Sequence, residues 1–346
     1  MFDVTQTPVP QFQLKTFAPA WGATAMGTSV LAMALKSATV ATGLEAVGLA
    51  VARVVLVIAA LFLLAVVSVM TTRWIKYPGA MHADLVHPIK GGMSGTLPGG
   101  MLAFAVALGH VGSGLLPAGL IAGLIGLLAA VGTIMALLFG WAFLGTLASR
   151  GDTAMGMVTG AWFIPPVVTI ITPLALSPFL TEDTVELNAV AWGLLGMGTF
   201  LYLLVAAALF LRSMTTPPPP VGIAPTLAIG QGPAGLIALN LLALAPESAA
   251  GRAGALMFWG AGLWWMVASV VVLVRGYQKI PFALSWWGFT FPFGALTVAS
   301  NKLGLATGSV LISVIGAVAT VLLLALWVYV VVQTVAGIRK GTIWAH

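Results

Sequence analysis

VARVVLVIAALFLLAVVSV, residues 51–69, decides the fold class. It carries one charge, Arg53, and as a helix at 1.5 Å per residue it spans about 30 Å, the thickness of a bilayer's hydrocarbon core. Residues 120–138 and 310–332 repeat the pattern. None of these stretches shows the period-two alternation and regular turns of an outer-membrane barrel. The helix is then the structure that satisfies every backbone polar group in lipid. Composition points the same way: 60% of the 346 residues are hydrophobic, 6% are charged, and mean hydropathy is +1.09. A soluble domain of this length carries about a quarter charged residues. The chain reads as an all-α integral membrane protein.

Working outward, apolar windows between polar or proline-rich breaks give ten spans. They are 17–35, 47–72, 96–114, 118–149, 155–176, 190–211, 223–244, 253–274, 282–300 and 309–338. Residues 1–16 and 339–346 form short tails around one transmembrane domain at 17–338. The longest connection is 73–95, and Pro217 to Pro220 is a stiff linker. Assigning the amino-terminus and every second loop to one side collects ten of the fourteen bases there. These are Lys15, Arg73, Lys76, Lys90, Arg150, Arg212, Arg275, Lys279, Arg339 and Lys340, against Lys36, Arg53, Arg252 and Lys302 opposite. The positive-inside rule then puts both termini in the cytoplasm, in a cell inner (plasma) membrane protein.

Net charge is +6, but the bases sit singly in short loops without interleaved aromatics, so no nucleic-acid partner is expected. There is no cysteine, and no cofactor or metal site is expected. The amino-terminus lacks the pattern of a cleavable signal peptide. Gly-Met-Ser-Gly at 92–95 spells a serine-protease-like turn, but Ser94 and the nearest histidine in a span, His110, are about four turns apart on one helix. An enzyme is therefore not expected. Gly119 and Gly123 form a helix-packing G-x-x-x-G, and the tryptophans, among them Trp74, Trp264 and Trp344, suit interfacial anchoring or outer-helix packing.

Proline divides the spans into two sets. Pro19, Pro98, Pro165, Pro166, Pro173, Pro225, Pro233 and Pro292 all lie in odd-numbered spans. Proline removes a donor and bends a helix, a defect tolerated in a membrane where backbone faces protein or a wet cavity. The pattern predicts five hairpins, each pairing a kinked inner helix with a smooth outer one, around a central pore. No acid lies well inside any span, although cation and proton pathways generally need one. Positive half-helix ends solvate an anion without a fixed cation. Lys36 and Lys302 at one mouth and Lys90 at the other raise local anion concentration or serve only as topological markers.

An ordered series of motifs resembles the tellurite-resistance/dicarboxylate transporter family, which includes malate permeases, sulfite pumps and slow anion channels. The series runs Phe-Ala-Pro-Ala-Trp at 17–21 with Met-Gly-Thr at 26–28, His-Pro at 87–88 with Thr-Leu-Pro at 96–98, and Trp-Phe-Ile-Pro-Pro at 162–166. It continues with Pro225 and Gly-Pro-Ala-Gly at 232–235, then Trp-Trp-Gly-Phe-Thr-Phe-Pro-Phe-Gly at 286–294. Ser29 stands where the family often has glycine. The resemblance implies a homotrimer of separate pores, each plugged by an aromatic ring of the ninth span. Here that ring is Phe291, with Phe163 as a second one. Gly232 joins Pro19, Pro98, Pro165, Pro233 and Pro292 as an expected pore-lining or kink position.

The expected function is passive transport of small anions, with chloride, nitrate, malate or other C4-dicarboxylates, and sulfite as candidates. A proton-linked dicarboxylate or sulfite carrier on the same scaffold is the alternative.

Overall fold

The computed structural model describes residues 11–40 and 43–344. The extreme ends of both expected tails, residues 1–10 and 345–346, lie outside the described residues. Eleven α-helices occur among the described residues, with no β-strand. In chain order they are α1 (Gly22–Thr39), α2 (Glu45–Lys76), α3 (Pro78–Leu85), α4 (Thr96–Val111), α5 (Ala118–Arg150), α6 (Ile164–Leu176), α7 (Val185–Thr215), α8 (Gln231–Leu244), α9 (Ala249–Gly276), α10 (Trp287–Thr307) and α11 (Val310–Arg339). The protein is an all-α membrane protein. Among the described residues, eight helical segments are long and apolar enough to cross a bilayer. The remaining two long helices, α1 and α10, carry Lys36 and Lys302 among many Gly, Ser and Thr residues, which lowers their hydropathy. The eight-residue α3 falls inside what sequence treats as a loop.

Five pairs of neighbours pack as hairpins: α1 with α2, α4 with α5, α6 with α7, α8 with α9, and α10 with α11. Within that set α1 packs on α4, α4 on α6, α6 on α8, α8 on α10, and α10 back on α1, closing a ring. Burial separates the layers. The windows containing α4, α6 and α8 are 72–83% buried, against 17–33% for the five partners outside. Short connections make hairpin partners antiparallel, so the five ring helices run the same way.

Each ring helix begins with a 3₁₀ segment: Pro19–Trp21, Gly91–Gly95, Gly160–Phe163, Ala224–Gly230 and Leu284–Trp286. The prolines cluster at these junctions. Pro165 is in the first turn of α6, where a missing N–H costs little, and Pro98 and Pro233 are third residues of α4 and α8. Pro173 of α6 and Pro292 of α10 lie beyond the first turn, in helix interiors. A proline at 292 cannot donate to the Gly288 carbonyl four residues back.

Polar bolts tie the layers together. Trp327 donates to the Thr28 hydroxyl (3.0 Å), Trp259 to Ser300 (2.8 Å) and Trp287 to Thr334 (3.0 Å). Inside the ring Asn240 of α8 donates to the Ile170 carbonyl of α6 at 2.9 Å, and Asn301 of α10 donates to Ser37 of α1 at 3.0 Å. At the amino-terminal end of the ring, buried Arg73 pairs with Asp84 of α3 at 2.6 Å and donates to the Lys15 carbonyl at 3.0 Å. Nor is the carboxy-terminal segment a loose tail. Ile343 is buried, and Trp344 packs on Trp21 and Phe12 with ring centroids 5.6 and 5.3 Å apart.

Candidate functional site

Two small cavities lie in line along the axis of the ring. The first, about 30 Å³, is lined by residues from the early turns of all five inner segments, including Ala23, Thr96, Val167, Ile229 and Gly288. The second, about 20 Å³, is lined from mid-helix by Met33, Val106, Ile171, Leu239 and Ala295, again one from each ring helix. Phe291 lines both cavities and is itself buried. Its ring therefore stands between them.

The chemistry along the axis is apolar. Thr96 turns its hydroxyl to the Pro19 carbonyl at 2.6 Å, and Ser285 turns its hydroxyl to the Gly222 carbonyl at 2.6 Å. Each cavity has room for a water or two, but apolar voids of this size stay dry. The Phe291 ring closes the axis between them. Five parallel helix starts surround the first cavity, and each presents roughly half a positive charge. That end attracts anions without a lysine in the path.

Among the described residues no ionisable side chain lines either cavity. Asp152 sits on the exposed turn after α5, where a hydrogen bond from Arg150, then its charge, holds the carboxyl below its ordinary range. Tyr277, in the loop before α10, donates to the Pro219 carbonyl, and burial pushes its hydroxyl upward.

The expected site residues divide on inspection. Pro292 lines the first cavity, and Gly232 packs directly behind it. Pro165 instead lines an outward groove between α5 and α7. Pro19, Pro98 and Pro233 are buried without lining either cavity. Phe163 is fully buried, but its ring meets Trp265 (5.2 Å, edge-on) and Tyr202 (5.7 Å) on the outer helices. It lines neither cavity, because the 3₁₀ turn before α6 aims it away from the axis. Lys90 is exposed beside the first 3₁₀ turn of the α4 segment. Gly119 and Gly123 have nothing within reach of an added Cβ, so this G-x-x-x-G packs against no other helix among the described residues. Ser94 and His110 occupy opposite ends of the Gly91–Val111 segment.

Lys36 and Lys302 come together at the carboxy-terminal end of the ring, both on His110. Sequence marks His110 only as a polar residue near a helix end. The 74 and 192 residues between the partners leave no local signal of the meeting.

Comparison with known proteins assigns the family of this ring-enclosed, acid-free axis. The profile described as voltage-dependent anion channel, SLAC1, matches residues 16–335. The chain belongs to the SLAC1 family. An uncharacterized transporter of Methanocaldococcus jannaschii is 30% identical over 349 residues, covering 96% of each chain. A second transporter of that organism is 28% identical, over 96% of this chain and 98% of its own. The sulfite efflux pump SSU1 of Arthroderma otae is 28% identical, over 93% of this chain and 91% of its own. This SLAC1-family protein is accordingly a multi-pass membrane protein of an anion-transporting family, a family of transporters and channels and not of enzymes.

Proposed function

We propose that this SLAC1-family chain conducts small anions passively through the axis of its five-helix ring, and that Phe291 is the gate. The observation that carries the proposal is the position of Phe291 between two apolar cavities, each lined by all five inner segments. Positive helix ends draw anions to one mouth, and Lys36 and Lys302 do so at the other. Chloride, nitrate, C4-dicarboxylates and sulfite are the candidate substrates. The name of the Arthroderma relative favours sulfite for a first assay.

In this reading ten helices cross the inner membrane, with α1 and α10 shielded from lipid by the outer layer, and both termini are cytoplasmic. Three copies associate, each keeping its own pore, as the family likeness implies; the mass of the purified complex tests this.

The alternative is a proton-linked sulfite or dicarboxylate carrier. It is favoured by the same relative, since a pump differs from a passive pore in being driven. Purified protein in liposomes separates the two. Anion current that persists without a pH gradient and follows voltage supports the channel. Flux that requires a proton gradient supports the carrier, and no flux of any of the four anions defeats both.

A further inference from the structure

Three side chains converge where the carboxy-terminal ends of α1, α4 and α10 meet. Lys36 donates through Nζ to the backbone carbonyl of His110. Nζ of Lys302 stands 3.5 Å from Nε2 of the same histidine. Nδ1 of His110 is 2.9 Å from the Val106 carbonyl, which only accepts, so Nδ1 carries the proton and Nε2 turns its lone pair toward Lys302. An ammonium has three donors, so each lysine keeps two to offer elsewhere.

Helical spacing aims the trio at the pore. Lys36 follows Met33 by three residues, His110 follows Val106 by four, and Lys302 follows Ala295 by seven. Each interval returns to the same face of a helix. Met33, Val106 and Ala295 line the second cavity, so the three groups lie on the pore-facing stripes beyond it. Neither lysine forms an ion pair with an acid among the described residues. The ion pairs among the described residues are Arg73–Asp84 and Arg150–Asp152, and neither is at this mouth. Arg53 adds a further cation there through its bond to the Ser113 carbonyl. The stripes of α6 and α8 continue from Leu174 to Ser177 and from Leu239 to Leu242, so the cations gather on one wall.

We propose that Lys36 and Lys302, positioned by His110, form a binding site for a small doubly charged oxyanion at the mouth opposite the first cavity. The ligand class is sulfate, sulfite or a short dicarboxylate. Two half-buried ammoniums bracketing one histidine, each with spare donors, match a ligand that spreads two charges over several oxygens. A halide offers one charge and no second set of acceptors. The role of this site in transport rests on the pore reading above, whereas the binding itself does not.

The test uses the purified full chain, with sodium sulfate compared with sodium chloride at matched ionic strength. Sulfate is expected to raise the melting temperature of the parent beyond the effect of chloride. Lys36→Gln and Lys302→Gln should each weaken the half-saturating sulfate concentration about tenfold, as loss of a charge-assisted hydrogen bond does. Lys279→Gln, on an exposed loop, should leave it unchanged. A second measurement needs no variant: sulfate should protect Lys36 and Lys302, and not Lys279, from amine acylation read by mass spectrometry. Equal responses to sulfate and chloride in the parent, or no protection of the two lysines, would overturn the site. So would an undiminished sulfate response in both glutamine variants, leaving the lysines only to offset the negative helix ends. Failure of the pore reading looks different: sulfate binding would persist in a protein with no anion flux.

Discussion

Gly232 of α8 lies against Pro292 of α10 so closely that a Cβ added at 232 would stand 3.1 Å from Cα of the proline. The contact falls one residue from Phe291 and fixes the distance between α10 and its neighbour α8. Small residues at such crossings let membrane helices approach backbone to backbone. Gly235, one turn on, repeats the pattern: its Cβ would meet the Leu296 backbone nitrogen at 2.7 Å.

Gly232→Val should therefore push α10 off α8 and destabilise the protein by about 1–3 kcal/mol, the usual cost of overpacking. The same variant should alter anion flux, because the displaced turn carries Phe291. Melting temperature and flux measured together check this. A parental value for both would mean that the contact does not hold the gate.

Asp84→Ala should cost on the order of 3 kcal/mol, since it strands Arg73, whose side chain is 2% exposed, without its carboxylate. Replacing Arg73 by Leu in the same background should recover much of the loss. A double-mutant cycle on melting free energy measures the coupling, and a coupling near zero would show that α3 is held by other contacts.

Pro292→Ala restores a donor for the Gly288 carbonyl and should raise the melting temperature, an interior proline costing up to ~3 kcal/mol in a helix. It should also change anion flux, because the turn bearing Phe291 straightens. Pro165→Ala, in the first turn of α6 and facing outward, should leave both nearly parental. Equal effects of the two variants would contradict the distinction between the interior proline and the junction proline.

A reporter fused after the carboxy-terminus should be active only in the cytoplasm, as the ten-to-four sorting of bases requires. Activity in the periplasm would reverse the topology and exchange the two mouths.

Long apolar runs such as 51–69 announce membrane helices because hydrophobic length is a property of consecutive residues. The prolines of alternate spans were likewise enough to mark the inner layer. What sequence could not supply were directions and distant meetings. Phe163 and Phe291 both stand close before a proline, yet one ends a 3₁₀ segment and points to Trp265 while the other lies within α10 and points to the axis. Pro165 looked like a kink in the pore wall, although at the start of a helix proline removes no helical hydrogen bond. Sequence put Lys36 and Lys302 at one mouth, but their meeting on His110 depends on ring closure between α10 and α1. Trp259 and Trp327 bond from outer helices into the ring and Trp287 bonds from α10 outward to Thr334 of α11, and none of these bonds had a sequence signature.

The measurement that bears most directly on the central claim is Phe291→Ala, assayed for melting temperature and basal anion current on one preparation. An apolar plug contributes little to holding the ring helices together, and it leaves the axis by a rotamer change costing about 0.5–1.5 kcal/mol. The account predicts near-parental stability with a current raised severalfold. A variant destabilised by ~3–5 kcal/mol, as for an ordinary buried ring, with unchanged or lower current would contradict it.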